Sequence, residues 1–154
     1  MSPNALGQLT IREAPLLRID ELVPAAARRV VESGLPALPV VDDRDRLYGI
    51  FGEREFMQAL FPGYLGQLTS ARFVSKTIDA QLERRLGCRD EPVRQHANTE
   101  HIDVGTDFSD VELAETFLHH RVLIVPVVED GEVRGVITRA DFFRALVERF
   151  ESVG

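Results

Sequence analysis

The hydrophobic pattern of this chain runs through the same series of periods twice. Ala27, Val30 and Val31 recur at the spacing of one helix face, as do Leu113, Ala114, Phe117 and Leu118 further on. Each helical stretch is followed by a short run of consecutive apolar residues, ALPVV from Ala37 and IVPVV from Ile124, which predicts a buried strand. The proline inside each run predicts an edge position or a local irregularity in its sheet. A polar turn leads to a second short strand, LYGIF or VRGVI. A second helix then begins near Gly52 or Thr138, carrying Phe56, Met57 and Leu60 in one case and Phe142, Phe143, Leu146 and Phe150 in the other.

Local signals support these boundaries. Pro24 suits the first turn of a helix. Ser109 with Glu112 has the spacing of a capping box, and Phe108 with Leu113 that of a hydrophobic staple. HIDV, His101 to Val104, reads as a short extended piece before the second series.

The two series are also alike residue by residue. LPVVDDRDRLYGIFGEREFMQAL, from Leu38, aligns with VPVVEDGEVRGVITRADFFRAL, from Val125. Pro39 matches Pro126, Gly49 matches Gly135, Phe56 matches Phe142 and Leu60 matches Leu146, with one residue of slip in the turn. The chain is an internal duplication. Neither copy can cover both faces of its small sheet alone, so the two are expected to pack together. The expected divisions are a first repeat at 1–61, an insertion at 62–92 and a second repeat at 93–154. Within the insertion, Ile78, Leu82 and Leu86 share a helical stripe ending at Gly87, which predicts a helix stopping there. CRDEP, from Cys88, reads as an exposed loop.

Composition narrows the class without choosing a function. With 154 residues, 44% hydrophobic and 28% charged, this is an ordinary globular chain that needs no covalent staples. Its net charge of −7 argues against nucleic acid or anionic lipid as a partner of the whole surface, although it leaves room for a local basic pocket. The single cysteine, Cys88, excludes an intramolecular disulfide and fits a reducing cytoplasm. The N-terminus lacks a basic start followed by an apolar run, and VLIVPVV, the longest apolar stretch, is far too short to cross a bilayer. The expected location is cytoplasmic.

The most specific motif is GVITRAD, Gly135 to Asp141, at a strand-to-helix corner. Thr-x-x-Asp there has the form of a helix cap, worth about 1 kcal/mol with no ligand required. A helix N-terminus with a free hydroxyl is also a place where a phosphate binds. The residues leave both uses open.

A duplicated β-α-β-β-α unit, with a hydrophobic-Pro-Val-Val strand and a Gly-apolar-apolar-Thr-x-x-Asp corner, resembles the CBS domain. Two such repeats make a CBS pair, or Bateman module, and the resemblance covers nearly the whole chain apart from the insertion. It implies a mixed α/β (α+β) fold of two tandem repeats, each a small sheet with flanking helices, packed by pseudo-twofold symmetry. It further implies a stand-alone regulatory module, not an enzyme, that binds AMP, ADP, ATP or S-adenosylmethionine between the repeats and modulates a partner enzyme or transporter. No cofactor is required, and a homodimer is expected. Carried onto this chain, Thr138 and Arg139 would meet phosphate and Asp141 the ribose hydroxyls. Ile102, Val104, Val122, Leu123 and Pro126 would form or border the adenine slot. The first repeat departs from the motif. Gly52 stands at the place of Thr138 and Glu55 at that of Asp141, with Glu53 adding negative charge, so that corner reads as a plain helix start and one site per chain is expected; Arg54 is the residue that leaves a second site open.

The residues bear on three other uses. Catalysis lacks a nucleophile paired with a base, since His119 and His120 close a helix, where they interact with its C-terminal dipole. Metal binding has Cys88, His96 and His101, with Glu100 and Asp103 nearby, but no tight zinc spacing, and separate loop residues are the expected reading. The run DDRD, from Asp42, is read as a solvated turn. A ligand-free module for dimerisation or protein interaction keeps the same fold and would use Phe61, Tyr64, Phe142, Phe143 and Phe150. A metal-responsive pair is the remaining alternative.

Overall fold

The computed structural model describes residues 2–62 and 77–154. Helix α1 (Ala5–Thr10) comes first, then β1 (Leu17–Arg18), α2 (Val23–Ser33), β2 (Ala37–Val41), β3 (Leu47–Gly52) and α3 (Glu53–Leu60). Helix α4 (Ile78–Arg84) and two 3₁₀ turns, Leu86–Asp90 and Val93–Gln95, lead to α5 (Asp110–His119), β4 (Ile124–Glu129), β5 (Glu132–Thr138) and α6 (Arg139–Ser152). The strands form two small sheets, in the orders β1-β2-β3 and β4-β5.

Both central hairpins are antiparallel and slip register at the same place, between Val40 and Val41 in β2 and between Val127 and Val128 in β4. The prolines sit just before that slip. Pro39 lies in the middle strand, but β1 reaches only Val40 and Val41, so the side facing β1 needs no N–H at Pro39. Pro126 contributes only its carbonyl, which accepts from Val104 N–H at 3.0 Å.

Alternating side chains of β4 and β5 enter two different cores. Val125, Val127 and Ile137 pack with Phe108, Leu113 and Phe142 under the second repeat's own helices. Ile124 and Val136 join Leu17, Leu38, Val40 and Phe51 in the core of the first repeat. The strands are thus covered on both faces, and this is why they read as continuous apolar runs.

Each repeat also lends a leading segment to the other. Arg12 makes a two-bond antiparallel bridge with Val136 in β5, at 2.8 and 2.9 Å, and Asn98 makes the corresponding bridge with Ile50 in β3, at 3.0 and 2.8 Å. Gly135 and Gly49 admit these segments. A β-carbon at either position would stand 2.7 Å from the carbonyl oxygen of Arg12 or of Asn98. The exchanged pair of bridges is the pseudo-twofold relation of the repeats.

Helix α1 has no counterpart among the sequence expectations. It is only 6 residues long and survives through tertiary contacts. Asp110 accepts from the N–H groups of Leu6 and Gly7, at 3.0 and 2.8 Å, so the start of α5 caps the start of α1. The capping box of Ser109 and Glu112 is present, and Phe108 and Leu113 are buried beside it.

The insertion differs from expectation at both ends. Its helix stops at Arg84, where Arg85 N–H turns back to the carbonyls of Gln81 and Leu82, so Leu86 falls in a 3₁₀ turn and Gly87 is not the stop. Ile78, Leu82 and Leu86 are exposed, while Gln81 is buried and donates to the Leu60 carbonyl at 2.6 Å. CRDEP is not an exposed loop: Cys88 is buried, and Val23 N–H bonds to the Glu91 carbonyl at 2.9 Å. The DDRD turn is closed by Asp42, which accepts from the N–H groups of Arg44 and Arg46 at 2.9 and 3.0 Å.

Gly135→Ala is expected to destabilise the protein by about 1–3 kcal/mol, through displacement of the crossing backbone. Gly87→Ala, whose β-carbon would meet nothing within 4 Å, is the control and should be near neutral. Denaturant unfolding of the two variants beside wild type checks this, and equal stability would refute the close approach.

Candidate functional site

An open cleft of about 560 Å³ lies between the repeats. One wall is the turn after α2, Gly34 to Pro36, where Gly34 ends the helix in the left-handed region (φ 72°). The other is the start of α6, with Thr138, Arg139, Ala140, Asp141 and Arg144, joined by Leu123 and by Arg12 from the crossing segment. Three arginines and one aspartate thus surround it, a locally cationic site on an acidic chain.

Thr138 caps α6: its Oγ1 accepts from Asp141 N–H at 3.0 Å. The hydroxyl keeps its own hydrogen to donate into the cleft. Arg139 N–H is bonded to the Leu123 carbonyl at 3.1 Å, tying the helix start to the strand entrance. Asp141 takes a bidentate pair from Arg12, Nε to Oδ2 at 2.5 Å and Nη2 to Oδ1 at 2.8 Å. The Arg12 hydrogen bond is the largest influence holding the Asp141 carboxyl below the usual aspartate range, with burial opposing it.

Of the residues singled out in the sequence, Thr138, Arg139, Asp141 and Leu123 line this cleft together. Ile102, Val104, Val122 and Pro126 do not. Val122 and Val104 pack in or against the second core, Pro126 is buried in β4, and Ile102 is half-buried in the extended lead-in. Arg12, Arg144 and the Gly34–Pro36 turn were missed. Arg144 was within reach of helical spacing, four residues after Ala140 on the same face. Arg12 carries no local signal, because a long-range bridge brings it there.

The matching corner of the first repeat has almost no room, about 10 Å³. By the internal alignment Arg121 stands where Gly34 stands, and Arg54 where Ala140 stands. Arg54 donates to the Arg121 carbonyl and fills the space. A β-carbon at Gly52 would lie 2.3 Å from the Pro36 carbonyl, so no threonine fits there. Glu55 is buried, and desolvation pushes its carboxyl up despite the backbone N–H groups of Glu55 and Gly52.

The CBS-domain family model matches residues 6–62 and 99–148. The chain belongs to the CBS-domain family. Hypoxic response protein 1 of Mycobacterium tuberculosis is 27% identical over 128 residues, 83% of this chain and 75% of that protein. The uncharacterized protein MJ1404 of Methanocaldococcus jannaschii is 23% identical over 148 residues, 96% of this chain, which spans only 33% of that relative's length. Among solved structures, the CBS-domain protein ATU1752 from Agrobacterium tumefaciens matches with a TM-score of 0.69 at 20% identity, over 94% of this chain and 92% of that one. CBSX2, solved in complex with AMP, matches with a TM-score of 0.64 at 19% identity, over 97% and 94%. At these identities the structural likeness is one of fold. Among the described residues of this CBS pair, no helix is long and apolar enough to cross a membrane.

Two titrations follow. Arg12→Ala should cost up to about 1 kcal/mol at neutral pH, the range of partly exposed ion pairs. Because the Asp141 carboxyl is lowered in the folded state, that contribution is present above the ordinary aspartate value of about 3.9 and disappears as the pH falls through the folded value. Glu55 has the opposite sign: its raised carboxyl loses stability as the pH rises past the ordinary glutamate value of about 4.3. Glu55→Gln should therefore be more stable than wild type at pH 7, with the gap closing in acid. Unfolding curves of each variant across pH measure both, and a pH-independent gap would refute the assignment.

Proposed function

We propose that this CBS pair is a regulatory module that binds an adenosine-containing ligand, AMP, ADP, ATP or S-adenosylmethionine, in the open inter-repeat cleft. The observation that carries this is the gathering of Arg12, Arg139 and Arg144 around the capped start of α6, beside one carboxylate suited to a pair of vicinal hydroxyls. CBS-domain proteins are typically regulatory modules, and the AMP-bound CBSX2 shares the fold. The closed corner at Gly52 and Glu55 leaves one such ligand per chain.

Binding has to compete with the Arg12–Asp141 pair. Ribose hydroxyls would donate to Asp141 while Arg12 turns toward the phosphate, with Thr138 and Arg139 holding its other oxygens. Since Arg12 sits on the crossing segment, occupancy would bear on how the repeats are held together. A ligand shifts that arrangement only by binding one form more tightly than the other, and the exchange of Arg12 between two anions supplies such a difference. The regulated protein would read this change.

A homodimer is proposed on a separate observation. Leu118, Phe143 and Phe150 are exposed at 79%, 66% and 83%, beyond what the core uses, whereas Phe142 is buried against Phe117. Phe61 is partly exposed, and Tyr64 lies outside the described residues.

Thermal unfolding with each of the four ligands tests the cleft. At a hundred times its dissociation constant a ligand adds about 2.7 kcal/mol, a rise of roughly 5–10 °C for a chain of this size. Asp141→Asn keeps the cap, which uses the backbone N–H, and should abolish the rise. An equal rise in the variant, or none with any ligand in wild type, would sink the proposal and leave the interaction module as the better account.

A further inference from the structure

The connection between the repeats folds three metal-ligating side chains into one place. After Arg85 the chain turns twice, and the turns are held by Cys88 N–H to the Arg85 carbonyl at 2.9 Å, Glu91 N–H to the Cys88 carbonyl at 3.2 Å and His96 N–H to the Val93 carbonyl at 3.0 Å. Two further backbone bonds fasten the loop to the first repeat, Val23 N–H to the Glu91 carbonyl at 2.9 Å and Val93 N–H to the Glu21 carbonyl at 2.7 Å. The outcome is that the Cys88 sulfur, a Glu91 carboxylate oxygen and a His96 ring nitrogen all lie within 4.8 Å of one another. Among the described residues this is the one such group of three. His101, the other histidine of this region, stands apart from it, 3.7 Å from Asp103.

We infer that Cys88, Glu91 and His96 form a binding site for one divalent cation of the zinc type. Thiolate, imidazole and carboxylate together favour zinc or cobalt over magnesium or calcium, which take all-oxygen shells. The spacing is close to what a tetrahedral ion needs. Bonds of about 2.0–2.3 Å place its ligands roughly 3.3–3.8 Å apart, and Glu91 Oε1 already lies 3.1 Å from His96 Nε2. Side-chain rotation alone closes the rest, since the backbone is held without the ion. Three protein ligands leave the fourth position to water.

Charge and access agree with this. A thiolate and a carboxylate neutralise a dication. A small cavity of about 200 Å³ is lined in part by Ala59, Leu82, Arg85 and Cys88. Arg89 also lines that cavity, and the Nε of Arg85 is engaged by the Ala59 carbonyl at 2.8 Å. The Cys88 sulfur is buried, 3.8 Å from the Ala59 carbonyl. Binding forms the sulfur–metal bond and releases the thiol proton to solvent, with no change of oxidation state, and tightens as the pH rises.

Cobalt(II) is the direct probe, titrated into untagged full-length protein without nucleotide, which keeps the result independent of the cleft. Wild type should take up one equivalent with a thiolate-to-cobalt charge-transfer band in the near ultraviolet and intense tetrahedral visible bands, displaced by one equivalent of zinc. Cys88→Ser should lose the charge-transfer band. His96→Gln should weaken binding roughly tenfold or more while the metal-free protein keeps its fold, as read by far-ultraviolet circular dichroism. This second variant carries the test if the buried Cys88→Ser protein does not fold. Absence of saturable uptake by wild type at micromolar metal would overturn the site, as would unchanged affinity in His96→Gln. Uptake lacking the charge-transfer band in wild type would also exclude Cys88 as a ligand.

Discussion

The exchange of one extended segment between the repeats is the contact on which the rest of this molecule depends. Each hairpin alone is a two-strand ribbon with an open edge, marginal in water. The Arg12 segment closes the free edge of β5, and the Asn98 segment closes that of β3, each through two backbone bonds. These bonds are short because Gly135 and Gly49 leave the crossing carbonyls room. Once they form, Ile124 and Val136 are committed to the first core and Leu6 and Ile11 pack against the second, so neither core is complete without the other half of the chain.

The pseudo-symmetry makes the difference between the two inter-repeat corners informative. Topology is shared, but the contrast between about 560 Å³ and about 10 Å³ has both a backbone and a side-chain source. Gly34 ends α2 in the left-handed region whereas α5 ends on His120 in extended backbone, and Arg54, bonded to the Arg121 carbonyl, fills the corner that Ala140 leaves open on the other side. Burial of Glu55 is a consequence of that filling, and its raised carboxyl marks a place where room was given up. On the open side the same position holds Asp141, kept ionised by Arg12 and reachable from the cleft.

Much of the fold was legible because it rests on local rules. The strand runs, the capping box at Ser109 and the helix starts at Gly52 and Thr138 all follow from neighbours in sequence. What escaped depends on distant partners. Helix α1 is too short to announce itself and exists because Asp110, over a hundred residues away, caps it. The insertion helix ends before Leu86, where Arg85 N–H turns back, and Gln81, not the apolar stripe, faces inward and donates to the Leu60 carbonyl. In the cleft, Thr138, Arg139 and Asp141 came from one contiguous motif and were found together. The second anchor of Asp141 came from residue 12, which no spacing rule connects to it.

The two candidate ligand positions have a common logic in this architecture. Arg12 reaches Asp141 because the first crossing segment ends on β5, and the Cys88–His96 loop, bonded to Val23 and Glu21, runs directly into the second crossing segment, which ends on β3 at Asn98. Each therefore lies on, or leads directly into, one of the two strands that hold the repeats together. A group bound at the first would draw Arg12 away from the aspartate that anchors its side chain. A cation at the second would fasten the approach to Asn98 against α2. Were both positions occupied, two chemically unrelated ligands would bear on one mechanical element, the paired crossing segments. The bridges at Val136 and Ile50 both lie in the first core, so the two crossing segments meet one set of packed side chains.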